Sequence, residues 1–413
     1  MDYIINGGRS LNGEISVYGA KNCVLPLLAA SVLTDEEVVL HNCPKITDVD
    51  NMVRLLQYMG KQIVWQDDTI CVCGSLTNTA APQHLAKLLR GSNLIMGSVL
   101  AKYGQINLPL PGGCAIGKRP MDIHLDGMAS MGVQIDFADD VLLCRGKPFA
   151  TTYVLRFPSV GATENLLCAA ALAEYETVLC NCATEPEVEA LERFLVKMGA
   201  RIEGIGTPNI KVNGVNKLHG AEFDVIPDRI VTATYISAAV ASGGEITVTK
   251  CNPSHLRAFL NMLNPRLEIT EYQNAIKVKR SRMPVSYGKV ITAPYPFFPT
   301  DMQSLVLSLA AIADGGDTQI CENLFENRLT HIADELALMG ADIKVDGNTA
   351  YVVGRKLYGA DVAAYDLRGG AALVIAGLNA QGITTVKNVE NICRGYLNLS
   401  DSLRSLGADI VFK

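Results

Sequence analysis

The 413-residue chain is 49% hydrophobic and 19% charged with a net charge of −6, a balance that excludes disorder and supplies core for two or three domains. No basic stripe or aromatic–basic interleaving offsets the acidity, so nucleic acid is not an expected partner, and no apolar run reaches the roughly 18 residues of a membrane helix. Six scattered histidines and twelve cysteines without a C-x-x-C pair predict no metal site and no disulfide framework, only a reducing, cytoplasmic setting.

From the N-terminus, Met1-Asp2-Tyr3-Ile4-Ile5-Asn6 lacks the basic start of a signal peptide and reads as a strand. Gly19-Ala20-Lys21-Asn22 reads as a crossover between domains and leads into the apolar stretch Val24 to Leu33. An amphipathic helix ending in Met-Gly or Leu-Gly, followed by a strand, then recurs with its end at Gly60, Gly132, Gly199, Asn264, Gly340 and Gly407, at spacings of 72, 67, 65, 76 and 67 residues. Glycine or asparagine there fits a left-handed helix end. Each copy also holds an earlier Ala-rich helix and a strand that leads to an asparagine: Asn42, Asn181, Asn252, Asn323 and Asn388. Six such units are too large for a solenoid and predict an α/β protein of two domains with three units each. The second crossover is expected at Pro227-Asp228-Arg229.

The second unit alone lacks that asparagine. Its strand, Gln105 to Leu110, runs instead into Pro111-Gly112-Gly113-Cys114-Ala115-Ile116-Gly117-Lys118-Arg119-Pro120. A thiol beside two cations and a helix start has thiolate character, which makes Cys114 a candidate reactive group. Gly112, Gly117 and Lys118 nearly fit a phosphate-binding P-loop, but Arg119 occupies the place of the magnesium-binding Ser or Thr. Anion binding without magnesium therefore fits better than nucleotide hydrolysis. Further on, Asp301 precedes an apolar helix, Met302 to Ala313, where it reads equally as a helix cap or a base.

Nine segments converge on one family: Gly19-Ala20-Lys21-Asn22, Leu110 to Gly117, Arg119-Pro120-Met121-Asp122, Ser159-Val160-Gly161-Ala162-Thr163, Ile226-Pro227-Asp228-Arg229, Phe298 to Gln303, Phe325-Glu326-Asn327-Arg328, Asp366-Leu367-Arg368 and Arg394-Gly395-Tyr396. In this order the chain resembles the enolpyruvyl transferases. The resemblance implies two inside-out α/β barrel domains of three βαβαββ-type repeats each, residues 1–20 with 229–413 forming the first and 21–228 the second. It implies transfer of the enolpyruvyl group of phosphoenolpyruvate to the 3-hydroxyl of UDP-N-acetylglucosamine, the first committed step of peptidoglycan synthesis, without a cofactor or an obligate protein partner. Two alternatives stay open: the sister enzyme that uses shikimate 3-phosphate, which lacks the Cys114 thiol, and a non-catalytic UDP-sugar sensor.

By the same resemblance, Lys21, Arg119 and Arg394 grip phosphoenolpyruvate, Asn22 orients the tetrahedral intermediate, Cys114 donates the proton and Asp301 is the base. Arg90, Arg119, Pro120, Met121, Asp122, Ile123, Ser159, Val160, Gly161, Asp301 and Leu324 match positions that hold the sugar nucleotide. Glu187, Arg229, Asp366 and Arg368 match supporting positions. The chain departs from the family pattern at Phe297, where Gly or Ala is usual, at Cys393, where Asp often precedes the arginine, and at Gly91, usually Ala.

Overall fold

The computed structural model describes residues 1–110, 121–263, 266–325 and 327–413, with Arg90 described by its backbone alone. Two compact units result: one holds Met1–Tyr18 with Pro227–Lys413, the other the described residues from Gly19 to Ile226.

Each unit is built on three helices buried on nearly every face. In one they are Lys21–Ala30, Ile95–Tyr103 and Val160–Ala171; in the other, Arg229–Ser242, Gln303–Ala311 and Leu367–Asn379. Small residues recur among their leucines, isoleucines and valines because helices packed against one another need short side chains at the contacts. All 14 residues of Arg229–Ser242 are buried. Gly97 shows the tightest approach: a Cβ there would lie 2.0 Å from the Asn165 carbonyl oxygen of the neighbouring helix.

Sheets cover these helices, three to a unit, and they remain separate rather than closing into one hydrogen-bonded barrel. In the fifth repeat Gly288–Ile291 pairs in parallel with Asp317–Cys321, which pairs antiparallel with Thr349–Val353, followed by Asp342–Asp346. The same order holds for five of the sheets. The exception is the second repeat, whose sheet has three strands, Gln105–Pro109, Val141–Arg145 and Gln134–Ala138, its first strand reduced to a single bridge between Ala80 and Asn107. The amphipathic helices end as expected, with Gly60, Gly132, Gly199, Gly340 and Gly407 all at positive φ. Asn264 lies outside the described residues.

The chain exchanges strands where it passes between units. Strand Asn12–Ser16 precedes helix Lys21–Ala30 in sequence, yet pairs with Glu245–Thr249 of its own unit. Strand Glu222–Asp224 precedes helix Arg229–Ser242, yet pairs with Val38–His41. Gly19 is required at the first crossing, since a Cβ would stand 2.0 Å from the Asn42 carbonyl oxygen.

One expectation needs correction. Asn42, Asn181 and Asn388 follow their strands at positive φ, but in the fourth repeat Lys250 takes that conformation. Asn252 instead caps the short Pro253–Leu256 turn through Ser254, and Asn323 follows its strand by one residue more.

Gly97→Ala is expected to lower stability by about 3 kcal/mol, because a backbone oxygen cannot move aside as a side chain can. Gly91→Ala, whose Cβ would meet Leu25 Cδ1 at 3.4 Å without a positive φ, is expected to be neutral or to stabilise by up to about 1 kcal/mol. Thermal melts of the two variants check both.

Candidate active site

Asp301 lies in a 3-10 turn, Thr300–Met302, ahead of the Gln303–Ala311 helix, and it caps neither element with its side chain. The cap reading is therefore corrected. Arg328 Nη2 donates to Asp301 Oδ1 at 3.1 Å, and Arg368 Nε lies 3.7 Å from the same oxygen. Both arginine side chains are 3% exposed against 27% for Asp301, so two buried guanidinium groups orient a carboxylate that is itself partly exposed. Arg328 also donates to Thr300 Oγ1 at 2.6 Å, and that hydroxyl donates to Glu322 Oε2 at 2.8 Å. Glu322 Oε1 accepts from the amides of Leu324 and Phe325. The network thus ties Asp301 to the Leu324 loop. Burial alone would lower the Arg368 pKa, but the Asp301 carboxylate, with Tyr396 and Asp228, raises it overall.

The other expected groups of this unit have plain structural anchors. Asp366 caps the Leu367–Asn379 helix by accepting from the amides of Arg368 and Gly369. Asp228 caps Arg229–Ser242 in the same way, and the Arg229 guanidinium lies 5.8 Å from the Tyr295 ring centre. Arg394 follows the short Glu390–Cys393 helix and is partly exposed. Burial pushes the Cys393 thiol above its ordinary pKa, which makes it a poor nucleophile.

In the second unit Lys21 opens its helix, 7% exposed, with Nζ 3.1 Å from Asp48 Oδ2. Asn22 follows, partly exposed, and Pro26, having no N–H, cannot donate to the Asn22 carbonyl as a helix residue would. Glu187 is buried in helix Pro186–Lys197. Ser159 caps Val160–Ala171 by accepting from the Ala162 amide, which sets Val160 and Gly161 in the first turn. Met121 precedes helix Asp122–Ser130, where Asp122 pairs with Arg156 and accepts from the Ile123 amide. His124 joins these two groups, since a Cβ on Gly161 would stand 3.2 Å from His124 Cε1. The backbone of Arg90 opens the 3-10 segment Arg90–Leu94. Cys114, Arg119 and Pro120, like the P-loop-like Gly112 to Lys118, lie outside the described residues.

Sequence reasoning missed Arg328, Thr300 and Glu322, although Arg328 closes a quoted motif. It also missed Asn165. That buried side chain accepts from the Gly97 amide at 2.8 Å, donates to the Asn93 carbonyl at 3.0 Å, and lies 3.0 Å from His124 Nδ1. Since the amide donates to both, His124 Nδ1 is the acceptor and its proton sits on Nε2.

A family model described as EPSP synthase (3-phosphoshikimate 1-carboxyvinyltransferase) matches residues 5–403. The chain belongs to that family. Among curated relatives, UDP-N-acetylglucosamine 1-carboxyvinyltransferase 2 of Caldanaerobacter subterraneus subsp. tengcongensis is 44% identical over 98% of both chains. The UDP-N-acetylglucosamine 1-carboxyvinyltransferase of Koribacter versatilis is 42% identical over 99% of this chain and 95% of its own. Among solved structures, the enolpyruvyl transferase NikO from Streptomyces tendae covers 99% of this chain and 98% of its own with a TM-score of 0.89 at 24% identity. EPSP synthase from Acinetobacter baumannii reaches 0.75 at 17% identity, over 100% and 99%. The fold is therefore that of the enolpyruvyl transferases.

Within this family fold, burial lowers the His124 pKa from 6.5 to about 4. The folded state then binds fewer protons than the unfolded one, so this contribution is present in full above pH 6.5 and is lost as pH falls toward 4. A loss of about 2–3 kcal/mol over that range is expected. Denaturant titrations at pH 7 and pH 4.5 measure it, and in His124→Asn the same interval should be flatter.

Proposed function

We propose that this chain transfers the enolpyruvyl group of phosphoenolpyruvate to the 3-hydroxyl of UDP-N-acetylglucosamine and releases phosphate. The observation that carries this reading is the 44% identity over 98% of both chains to a relative of that name. A proton adds to the methylene carbon of phosphoenolpyruvate and the sugar oxygen adds to C2. Loss of a proton from the new methyl group, with departure of phosphate, then restores the double bond.

Such chemistry needs cations for a phosphate and a carboxylate, an acid for carbon and a group that takes a hydroxyl proton. We assign these to Lys21, Arg119 and Arg394, to Cys114, and to Asp301, with Asn22 positioning the intermediate. Arg90, Pro120, Met121, Asp122, Ile123, Ser159, Val160, Gly161 and Leu324 are assigned to the sugar nucleotide. The Arg328–Asp301 pair supports the Asp301 assignment, because it holds a partly exposed carboxylate in place. The domain boundaries at 20/21 and 228/229, a cytoplasmic setting, a role in wall synthesis and fosfomycin as a ligand of Cys114 belong to this reading. No described helix is long and apolar enough to cross a membrane.

Phosphate release from phosphoenolpyruvate is expected with UDP-N-acetylglucosamine, without added metal or ATP, and not with shikimate 3-phosphate. Release with the latter alone would select the sister activity; tight binding of the sugar nucleotide without release would select the sensor. In the same assay Asp301→Ala should cut kcat by about 10²–10⁴-fold with a small change in KM, the pattern of a group that acts in the transition state. Brief alkylation followed by peptide mapping should label Cys114 first among the cysteines. Equal labelling at Cys393 would remove Cys114 from its role.

A further inference from the structure

Phe297 is 67% exposed, while Phe298 beside it is 8% exposed and packs on Phe259 with ring centres 6.5 Å apart. The outward ring stands on a fixed turn. The Phe297 amide donates to the Pro294 carbonyl at 3.1 Å, the Ala293 amide to the Phe298 carbonyl at 2.9 Å, and the Met302 amide to the Pro299 carbonyl at 3.1 Å. Phe297 and Met302 line one shallow, open, largely apolar hollow of about 10 Å³ together with Ala258, Tyr295 and Pro296. Asp301 immediately precedes Met302, so its carboxylate follows the ring by four residues, in the next turn.

We propose that Phe297 is a specificity-determining residue that reads the 2-acetamido group of the acceptor sugar. This rests on the reaction given above. If Asp301 takes the proton of the 3-hydroxyl, the substituent on the adjacent C2 is brought near the preceding turn, which carries Phe297. That substituent is a flat amide ending in a methyl group, which matches an aromatic face beside an apolar hollow, whereas the hydroxyl on C4 gains nothing from such a surface. The uracil is separated from C3 by a ribose and a diphosphate. A ring already fixed at its backbone gives up only side-chain freedom on contact, so the stacking is retained as affinity.

Calorimetric titration of the full chain and of Phe297→Ala with UDP-N-acetylglucosamine, UDP-glucose and UDP tests the contact. The unaltered protein should bind UDP-N-acetylglucosamine more tightly than UDP-glucose, which carries a hydroxyl at C2. Phe297→Ala should weaken UDP-N-acetylglucosamine about tenfold, the size of one aromatic contact, and change the other two by less than about twofold. Phe297→Tyr should restore the difference, and the thermal midpoint of each variant should match the parent because the ring is exposed. An equal loss for all three ligands would place the ring against the nucleotide and overturn the proposal. So would no loss at all, or a parent that fails to distinguish the two sugars. Acetamido-dependent binding without phosphate release would instead overturn the reaction and leave the contact standing.

Discussion

Helices buried on every face impose the constraint from which the rest follows. The first-turn amides of such a helix have no water to meet, so each start needs a polar residue taken into the core. Ser159, Asp228 and Asp366 supply caps at three of the starts. The same positions carry Lys21, Arg229, Arg368 and, one turn early, Asp301. Five of the six core helices thus begin at or within a turn of residues matched, by resemblance, to the family's ligand-binding or supporting positions. The cause is physical: a helix start presents free N–H groups and positive potential, the natural seat for the anionic groups of phosphoenolpyruvate and a sugar nucleotide. On the proposed reading, stability and ligand binding draw on one set of residues.

Burying Arg328 and Arg368 around Asp301 has a consequence for reading mutations there. Each guanidinium has left water, and the carboxylate between them offsets part of that cost. Removing the carboxylate leaves two buried cations facing each other, so a loss of activity in Asp301→Ala mixes chemistry with unfolding. Asp301→Asn keeps the acceptor oxygen and separates the two. The Thr300–Glu322 extension of the network acts in the same sense, since Glu322 also holds the Leu324 and Phe325 amides.

Much of the fold was legible because its markers are local. The glycine at each amphipathic helix end needs a left-handed φ, and that need is written in the sequence at Gly60, Gly132, Gly199, Gly340 and Gly407. The exchange of strands Asn12–Ser16 and Glu222–Asp224 was not legible, because partner choice in a sheet here depends on residues 233 and 183 positions away. The role of Asn165 escaped for the same cause: an asparagine in an Ala-rich helix carries no local sign that it bonds Gly97, Asn93 and His124. Asp301 shows the converse error, where a local cap rule was outweighed by Arg328 from another helix.

The exceptional second repeat has an explanation in its missing strand. In the first, third and fifth repeats an asparagine after the second strand donates to the carbonyl that ends the first: Asn42 to Val225, Asn181 to Leu155, Asn323 to Thr292. That bond locks the segment following the strand. The second repeat reduces its first strand to the bridge at Ala80, so among the described residues no strand end remains for such an amide to hold. Relief from that one bond frees the sequence at this place for another use, and the Gly-Gly-Cys segment occupies it.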